Sequence, residues 1–431
     1  MSPFLQLLKS NRNYRYAWTG QVVSEIGDHF NNIAVFSLAL QATGSGLVVS
    51  GVMLARAVPA ILAGPLAGVL LDRMDRRKVM VGSDVIRAVI AACFVLTVRW
   101  PAPWLLFLLS GLLMFASPFF TAGRAAILPA IANADEIHTA NSLTQTTQWT
   151  TLTIGTMAAG VSAAKLGYSA AFVLNALSFV FSAWAISRLV SPPGGFRAAS
   201  GTLAEAVRAR PWHEYIEGLR YMRQQPLILA IALLGIGWAS GGGAAQILFS
   251  LFGEMVFNRG PAGIGIIWGC AGLGLIAGGI VAHVVGPKLS FLRYKQLVAI
   301  CYLVHGGAYV VFSQMPTFGW ALVFIGLSRA AVAISSVLNM SILLRHVADE
   351  FRGRVFSTNE SLIWATMMLS MLAAGIASMH VSPRTIGAWS GVLSSMTALY
   401  WIWADRVGLL KEPIVPSHAA DEVEVRQEPP V

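Results

Sequence analysis

The stretch GPLAGVLLDRMDRRKVMVG, residues 64–82, separates two apolar runs by a short gap made almost entirely of charge. Of the seven residues that follow Leu71, six are charged: Asp72, Arg73, Asp75, Arg76, Arg77 and Lys78. An ordinary linker would be longer and richer in Gly, Ser or Pro. Two features of the gap therefore need an explanation, the excess of cations and the two aspartates among them.

The composition indicates a protein whose surface is covered mainly by lipid. Of the 431 residues, 56% are hydrophobic and 12% are charged, and the mean hydropathy is +0.65. A soluble protein carries about 25% charged residues, so this chain cannot cover a globular surface with polar groups. The sequence therefore predicts an all-α membrane protein.

Twelve apolar runs are long enough to cross a bilayer, which takes roughly 20 residues. They lie at about 15–41, 47–71, 79–98, 104–123, 139–164, 168–188, 227–253, 262–286, 294–313, 318–344, 354–379 and 384–405. We number them spans 1 to 12. They divide the chain into an N-terminal six-helix bundle (1–190), a cytoplasmic linker (191–225), a C-terminal six-helix bundle (226–405) and a disordered cytoplasmic tail (406–431).

The linker contains an amphipathic pattern. Apolar residues recur at helical spacing with cations between them, at Trp212, Tyr215, Leu219 and Met222. Such a pattern is typical of a helix that lies on a membrane surface. We therefore expect an amphipathic helix on the inner leaflet.

The distribution of Lys and Arg predicts the orientation. With the N-terminus placed in the cytoplasm, 23 of the 30 Lys and Arg lie on the inner side, four lie outside and three fall within spans. Cytoplasmic loops carry the excess of cations in membrane proteins. We therefore expect both termini in the cytoplasm, in a multi-pass protein of the bacterial inner (plasma) membrane. The cations of residues 72–78 keep their loop inside.

The two halves of the chain repeat each other with an offset near 214 residues. The segment AILPAIANADEIHTANS (126–142) aligns with SILLRHVADEFRGRVFS (341–357). Parallel repeats of this kind build transporters that work by alternating access, with the substrate site between the halves.

The loop pattern Gly-x-x-x-Asp-Arg-x-Gly-x-Arg-Arg/Lys resembles the signature of the major facilitator superfamily. Its matching residues are Gly68, Asp72, Arg73, Arg77 and Lys78, while Asp75 stands at the usual glycine. The segments NRNYRYAWTGQVVSEIGD, LARAVP and RGRVFS look like the branch of enterobactin-exporter-like and macrolide-efflux-like carriers, and lysophospholipid transporters share part of this pattern. Many drug antiporters of the family have a proline in span 5 where this chain has Thr156.

The resemblance implies the twelve-helix major facilitator fold and a cytoplasmic gate. The aspartate of this loop would contact the other half, at the N-terminus of span 11 near Gly353 and Arg354, where a helix favours a carboxylate. Arg73 and Arg77 would orient Asp72. We assign to the gate the residues Gly64, Gly68, Asp72, Arg73, Arg77, Lys78 and Arg354. The alternative is a loop that serves only as a topology signal.

Ionisable residues inside spans are candidates for function because a charge at the bilayer centre costs at least about 2.5–3.5 kcal/mol. The candidates for substrate binding or proton coupling are Glu25, Asp28, Arg56, Arg329 and Glu360. Asp28 and Arg56 lie at similar depth and are expected to pair, either as a structural pair or as a titrating site. Arg124 is expected at the membrane interface.

Span 5 carries a polar stripe and span 8 is rich in glycine. Asn141, Gln145 and Gln148 share one helix face, with Trp149 beside them. They are candidates for a cavity wall or for hydrogen bonds between helices. The glycines of span 8, from Gly265 to Gly278, predict close helix packing at a moving interface.

The sequence favours a secondary transporter, most simply a proton-coupled exporter of an amphipathic small molecule such as a drug or siderophore. No GxxxxGK[ST] motif is present, and no cofactor, metal site, enzyme activity or nucleic-acid partner is expected. The expected partners are the substrate, protons and the lipid bilayer, with the protein a monomer. The alternatives are a lysophospholipid flippase of the same fold and a transport-inactive membrane sensor.

Overall fold

Twelve long helices lie in the part of the chain that the structure describes, and they correspond one to one to the predicted spans. The computed structural model describes residues 3–100, 102–133, 135–191, 195–197 and 211–412, and in these ranges every regular element is a helix. Spans 1 to 6 are Arg12–Thr43, Gly46–Arg73, Arg76–Arg99, Pro103–Ile131, Ile137–Leu166 and Tyr168–Ser187. Spans 7 to 12 are Pro226–Val256, Gly260–Val285, Phe291–Gln314, Phe318–His346, Asp349–Ala377 and Pro383–Arg406.

Three additional features were not predicted. A short helix, Pro3–Ser10, precedes span 1. Span 3 is interrupted at Phe94, which separates Arg76–Cys93 from Val95–Arg99, and span 7 ends in a π-helical turn, Phe252–Val256. A π-turn widens the helix locally and is frequent at functional sites.

Nine helices of the described chain are long and apolar enough to cross a membrane by composition alone. Spans 1, 5 and 12 fall outside this group. Span 1 is 32 residues long but carries Glu25 and Asp28 near its middle, and span 5 is rich in Thr and Gln. Their polar residues have to face protein or a water-filled space, since lipid would not solvate them.

Short turns with clear capping signals join the spans. Asn11, Asp75, Ser290 and Ser382 cap the N-termini of spans 1, 3, 9 and 12 by accepting a hydrogen bond from a backbone N–H. Gly44 ends span 1 at a φ of 64°, a left-handed conformation that glycine adopts without strain. Two residues then suffice to reverse the chain into span 2.

The outer surface of the bundle matches a bilayer. Large apolar side chains are exposed along most spans, as lipid-facing residues would be. Tryptophans are exposed near both ends of the bundle, at Trp100, Trp104, Trp184, Trp320, Trp389 and Trp403. This is the position of the aromatic belts of membrane proteins.

Helix packing repeats between the halves. In residues 1–190, span 2 packs on span 4, span 1 on spans 5 and 6, and span 3 on spans 4 and 6. In residues 226–405, span 8 packs on span 10, span 7 on spans 11 and 12, and span 9 on spans 10 and 12. Adding six to each span number converts one pattern into the other. The halves meet chiefly through spans 5 and 8 and through spans 2 and 11.

The linker helix, Pro211–Gln224, packs on the C-terminal half. Tyr221 stacks on Phe351 with ring centroids 4.6 Å apart, Glu217 forms an ion pair of 3.0 Å with Arg354, and Met222 is buried. Span 11 therefore covers part of its apolar face, while Ile216 and Leu219 stay exposed. Residues 192–194 and 198–210 of the linker, and the tail beyond residue 412, lie outside the described residues.

Candidate functional site

A central cavity of about 750 Å³ lies between the two halves. Spans 1, 2, 4 and 5 supply one side of its wall, and spans 7, 8 and 11 supply the other. Its lining residues are His29, Asn32, Ile33, Phe36, Met53, Arg56, Ala57, Ala60, Ile61, Met114, Leu152, Thr156, Gln246, Trp268, Glu360, Ser361, Trp364, Met368 and Met371. This volume suits a small molecule of drug size.

The cavity wall is mainly apolar but carries one cation and one carboxylate. Arg56 comes from span 2 and Glu360 from span 11. Two of the five ionisable residues proposed from the sequence therefore line the cavity, one from each half. Most of the remaining wall consists of Met, aromatic and aliphatic side chains, so a bound molecule would be both apolar and polar.

The expected ion pair between Asp28 and Arg56 is not formed. Arg56 donates hydrogen bonds from Nη1 to Asn31 Oδ1 at 3.4 Å and from Nη2 to Asn32 Oδ1. Both residues are close in depth, but the rotation of span 1 presents its two asparagines to Arg56. Depth alone cannot predict which face of a neighbouring helix a side chain meets.

Asp28 instead lies near a different buried ion pair, which the sequence analysis did not predict. Arg87 of span 3 forms an ion pair with Asp84, one turn away on the same helix, and these side chains are 2% and 0% exposed. The Arg87 guanidinium lies between two aromatic rings, 4.5 Å from the centroid of Phe120 and 4.3 Å from that of Phe179.

Asp28 has unused hydrogen-bonding capacity, as do Asp84 at Oδ2 and Arg87 at Nε. Asp28 Oδ1 is buried without a hydrogen-bond partner among the described residues. Its carboxylate interacts electrostatically with Arg87 and Arg56, and also with the like charges of Glu25 and Asp84. Asp28 therefore belongs to a buried group in which both cations and carboxylates act on its charge.

Glu25 forms a separate polar group one turn closer to the N-terminal end of span 1. It lies 3.7 Å from Arg124 and accepts hydrogen bonds from Gln21 at 2.7 Å and Thr151 at 2.9 Å. Arg124 was expected at the membrane interface. It is mostly buried because Glu25 provides a counter-charge inside the bundle.

Arg329 does not reach the cavity. It is 8% exposed in the core of the C-terminal half, with its guanidinium 5.1 Å from the ring centroid of Phe249. It also interacts electrostatically with Tyr309 and His305. Its surroundings are aromatic rather than open to a substrate, so this candidate stands apart from the other four.

The polar stripe of span 5 is not part of the cavity wall. Asn141 and Gln145 are exposed and Gln148 is half-buried, and Trp149 packs beside Gly279 of span 8. The cavity-lining residues of span 5 are Leu152 and Thr156, farther along the helix. The stripe lies nearer the N-terminal end of the span than these two residues do.

The glycines of span 8 allow close contact with span 5, as predicted. A Cβ atom at Gly265 would lie 2.3 Å from the carbonyl oxygen of Thr156, and one at Gly272 would lie 2.3 Å from Thr153 Oγ1. Gly274 and Gly278 face span 10 in the same way. Whether this interface moves stays a prediction.

The predicted outer ends of the two halves are joined. Glu254, in the π-helical turn of span 7, accepts hydrogen bonds from Ser37 Oγ at 2.7 Å and from Gln41 Nε2 at 2.8 Å, both on span 1. Nearby, Gly46 and Ser50 of span 2 pack on the end of span 11. The cavity is thus closed at this end.

The predicted inner ends of spans 2 and 11 are apart. A Cβ atom added to Gly64, Gly68 or Gly353 would meet no described atom within 4 Å. Asp72 makes no hydrogen bond or ion pair with any described residue and has not reached span 11. The structure therefore has the geometry of a carrier open at the end that carries the charged loop.

The charged loop is anchored within the N-terminal half. Asp75 accepts from the backbone N–H of Lys78 at 3.2 Å and of Phe196 at 3.3 Å. Arg76 and Arg77 donate to the carbonyls of Ala126 and Leu189, each at 2.7 Å. Arg77 therefore stabilises the end of span 6 instead of orienting Asp72, and Arg73 is exposed. The second aspartate of the loop is explained as a helix cap.

On the other side of this gap, Arg354 pairs with Glu217 of the linker helix. The assigned gate residues thus belong to two groups. Arg354 is paired with the linker helix, while Asp72 makes no hydrogen bond or ion pair in the described chain.

Comparisons with known proteins agree with this architecture. The sequence profile described as Major Facilitator Superfamily matches residues 17–363. Macrolide efflux protein A of Streptococcus pyogenes is 23% identical over 366 residues, covering 83% of this chain and 87% of that protein. The proposed bacilysin exporter BacE of Bacillus subtilis is 24% identical over 374 residues, covering 86% of this chain and 89% of its own.

Solved structures share the fold at low sequence identity. The nucleoside transporter NupG aligns with a TM-score of 0.68 at 12% identity over 94% of this chain and 100% of its own. A bacterial homologue of the iron transporter ferroportin, described as inward-facing, aligns with a TM-score of 0.66 at 17% identity over 90% and 98%. The twelve-helix fold predicted from the sequence is thereby confirmed.

Proposed function

Because this chain belongs to the Major Facilitator Superfamily, we propose that it is a proton-coupled exporter of an amphipathic small molecule that works by alternating access. It is a multi-pass membrane transporter. The proposal adds the direction of transport, the coupling ion and the kind of substrate. It also places the protein in a bacterial inner membrane as a monomer, with both termini in the cytoplasm.

The observation that carries the proposal is the central cavity. Both halves line it, it is closed at the end where Glu254 meets span 1, and its apolar wall contains Arg56 and Glu360. A site at the interface of two repeats is exposed to alternate sides when the halves rock against each other. The separated inner ends of spans 2 and 11 give the second surface that such a motion would close.

Asp28 is the proposed coupling residue. Burial in a low-dielectric site favours a neutral carboxyl, and the nearby cations favour a charged one. Asn32 follows Asp28 by one helical turn and holds Arg56 at the cavity wall. A change in the charge of Asp28 would therefore be felt by the residue that faces the substrate. Glu25, partly exposed and one turn closer to the open end, would pass protons to it.

Export is favoured over import by the relatives that cover most of the chain. One is named for macrolide efflux and another for bacilysin export. Their names do not identify the substrate of this chain, because the identities are 23% and 24%. They support the proposed direction of transport.

A lysophospholipid is the second candidate substrate. Ile61 and Trp364 line the cavity on the inner parts of spans 2 and 11, and they are 58% and 53% exposed. With Gly64 and Gly68 unpacked, the gap between these helices would admit an acyl chain from the bilayer.

Flux into proteoliposomes tests the proposal. A probe is first selected by binding to the purified protein, from macrolides, cationic dyes, dansyl amino acids and lysophospholipids. The acidic lumen of the vesicles then supplies protons for exchange. We expect the probe to accumulate with the gradient, and a protonophore to abolish accumulation. Equal flux of the bound probe with and without the gradient would contradict proton coupling, and for a lysophospholipid it would favour a gradient-independent flippase.

A further inference from the structure

We propose that the substrate is an amphiphile with an anionic and a cationic group several bonds apart, held with its anion at Arg56 and its cation at Glu360. This inference rests on the proposed function, because it assigns the chemistry of the same cavity. It follows from four properties of the wall: an unpaired cation, an unpaired carboxylate, their difference in depth, and the adaptable surface between them.

Arg56 forms no ion pair with the described residues, and the opposite charge of Asp28 acts on it only from beyond ion-pair distance. Its hydrogen-bond partners, Asn31, Asn32 and the Met114 sulfur at 4.0 Å, are neutral, and no carboxylate lies within ion-pair distance among the described residues. A guanidinium has five N–H donors, so several remain for a ligand. Because an unpaired cation in an apolar site is costly, a bound carboxylate or phosphate would stabilise it.

Glu360 has the complementary property. It is exposed at the cavity wall and makes no ion pair or hydrogen bond with the described residues. Trp364, one helical turn farther along span 11, lines the same cavity. A carboxylate beside an indole face is a favourable site for an ammonium group, through an ion pair and a cation–π contact.

The two charges lie at different depths. Gly46 of span 2 packs on Ser378 of span 11, which sets the two helices in register at their outer ends. Arg56 is ten residues from Gly46 and Glu360 is eighteen from Ser378. At 1.5 Å per residue the charged residues are offset by about 12 Å along the helices. Their long side chains shorten this span, so the site fits charges that are separated rather than adjacent.

The wall between the charges is apolar and adaptable. Met53, Met114, Met368 and Met371 line it together with Phe36. Methionine side chains fit many shapes, so this wall would hold an apolar body without selecting one shape. Charge spacing, rather than the outline of the apolar body, would therefore decide which molecules bind.

Isomers of dansyl-lysine test the charge spacing directly. Nα-dansyl-lysine carries a carboxylate and a distant ε-ammonium group, whereas Nε-dansyl-lysine has the same composition and adjacent charges. The methyl ester of the first isomer is a cation, and dansyl-norleucine is an anion. Binding is measured on the purified protein by energy transfer from tryptophan to dansyl, since Trp268 and Trp364 line the cavity.

We expect Nα-dansyl-lysine to bind roughly tenfold more tightly than each of the other three probes, the order of one charge-assisted contact in a partly desolvated site. Arg56→Gln should bind the acid and its methyl ester equally. Glu360→Gln should bind Nα-dansyl-lysine and dansyl-norleucine equally. Arg293→Gln, which removes an exposed cation outside the cavity, should keep the wild-type preferences.

Other outcomes overturn the proposal. Equal binding of the two isomers removes the argument from spacing, and equal weakening of acid and ester by Arg56→Gln gives that residue a structural role. A lipid source of the same chemistry is tested with lysophosphatidylethanolamine, which has both charges, against the anionic lysophosphatidylglycerol. Tighter binding of lysophosphatidylethanolamine supports the proposal and identifies a lipid headgroup as the source of the two charges. Binding of neither lipid and of none of the dansyl probes overturns it.

The experiment separates this inference from the proposed function. Binding is measured without a proton gradient. Loss of the charge preference would therefore overturn this inference without contradicting gradient-driven transport. Absence of gradient-driven flux, with the charge preference present, overturns the coupling and keeps the assignment of Arg56 and Glu360.

Discussion

Glu254 is expected to hold the outer end of the carrier closed. Its carboxylate accepts hydrogen bonds from Ser37 at 2.7 Å and Gln41 at 2.8 Å, across the boundary between the halves. Hydrogen bonds to a charged group contribute about 1.5–3 kcal/mol when buried. Gln41 is exposed, so water competes for its hydrogen bond. Glu254→Gln keeps one acceptor oxygen and removes the charge, and we therefore expect it to destabilise the outward-closed state by about 1.5 kcal/mol. This corresponds to a shift of roughly tenfold towards the outward-open state.

Labelling of a cavity residue from outside measures this shift. Met53→Cys, in a background in which Cys93, Cys270 and Cys301 are replaced, puts a reporter in the wall of the cavity. An impermeant maleimide added to intact cells reaches it only when the outer end opens. Glu254→Gln should raise the labelling rate roughly tenfold, while Glu214→Gln, an exposed carboxylate on the linker helix, should leave it unchanged.

A double-mutant cycle assigns the effect to the contact itself. If Glu254 acts through Ser37, adding Ser37→Ala to Glu254→Gln should raise labelling by less than the product of the two single effects. Strictly multiplicative effects would show that the two side chains do not act together. An unchanged rate in both Glu254→Gln and Glu254→Ala would refute the assignment of Glu254 to the outer closure.

Three further predictions concern the gate, the span 5–span 8 interface and the topology. Asp72→Asn should insert normally but transport about tenfold more slowly, as expected if the inward-closed state is destabilised by about 1.4 kcal/mol. Full flux of this variant in proteoliposomes would show that the loop is only a topology signal. Gly265→Leu should lower the thermal stability measured in detergent, because its side chain would meet the backbone of Thr156. Gly307→Ala should not lower it, because a Cβ atom there meets no described atom within 4 Å. In intact cells, an impermeant maleimide should label Arg259→Cys and spare Arg73→Cys; the reverse result would invert the whole orientation.

The sequence was sufficient for the order of the helices because each span is a local feature. Apolar runs, capping residues such as Asp75 and Ser382, and the cations between spans are all readable along the chain. The cavity residues Arg56 and Glu360 were found for a similar reason, since a charge within an apolar run stands out without knowledge of its neighbours.

Residue partners were harder to predict because they depend on helix rotation. Asp28 and Arg56 are matched in depth, yet Asn31 and Asn32 occupy the face of span 1 that meets Arg56. The stripe from Asn141 to Gln148 has the right period for a wall but lies outside the cavity.

Two other residues escaped notice for different reasons. Asp84 lies three residues before Arg87, and that spacing was a usable signal for a pair on one helix face. Glu254 follows directly after the predicted end of span 7, and its contact with span 1 has no signal in the sequence.

The most direct test of the account is the response of Asp28→Asn to a proton gradient. The measurement compares wild type and variant for binding of one probe to purified protein and for its accumulation in vesicles with an acidic lumen. Because the amide resembles the protonated acid, we predict unchanged binding and no accumulation driven by the gradient. Accumulation by Asp28→Asn at the wild-type level would contradict the account, and the coupling role would then pass to Glu25 or Glu360.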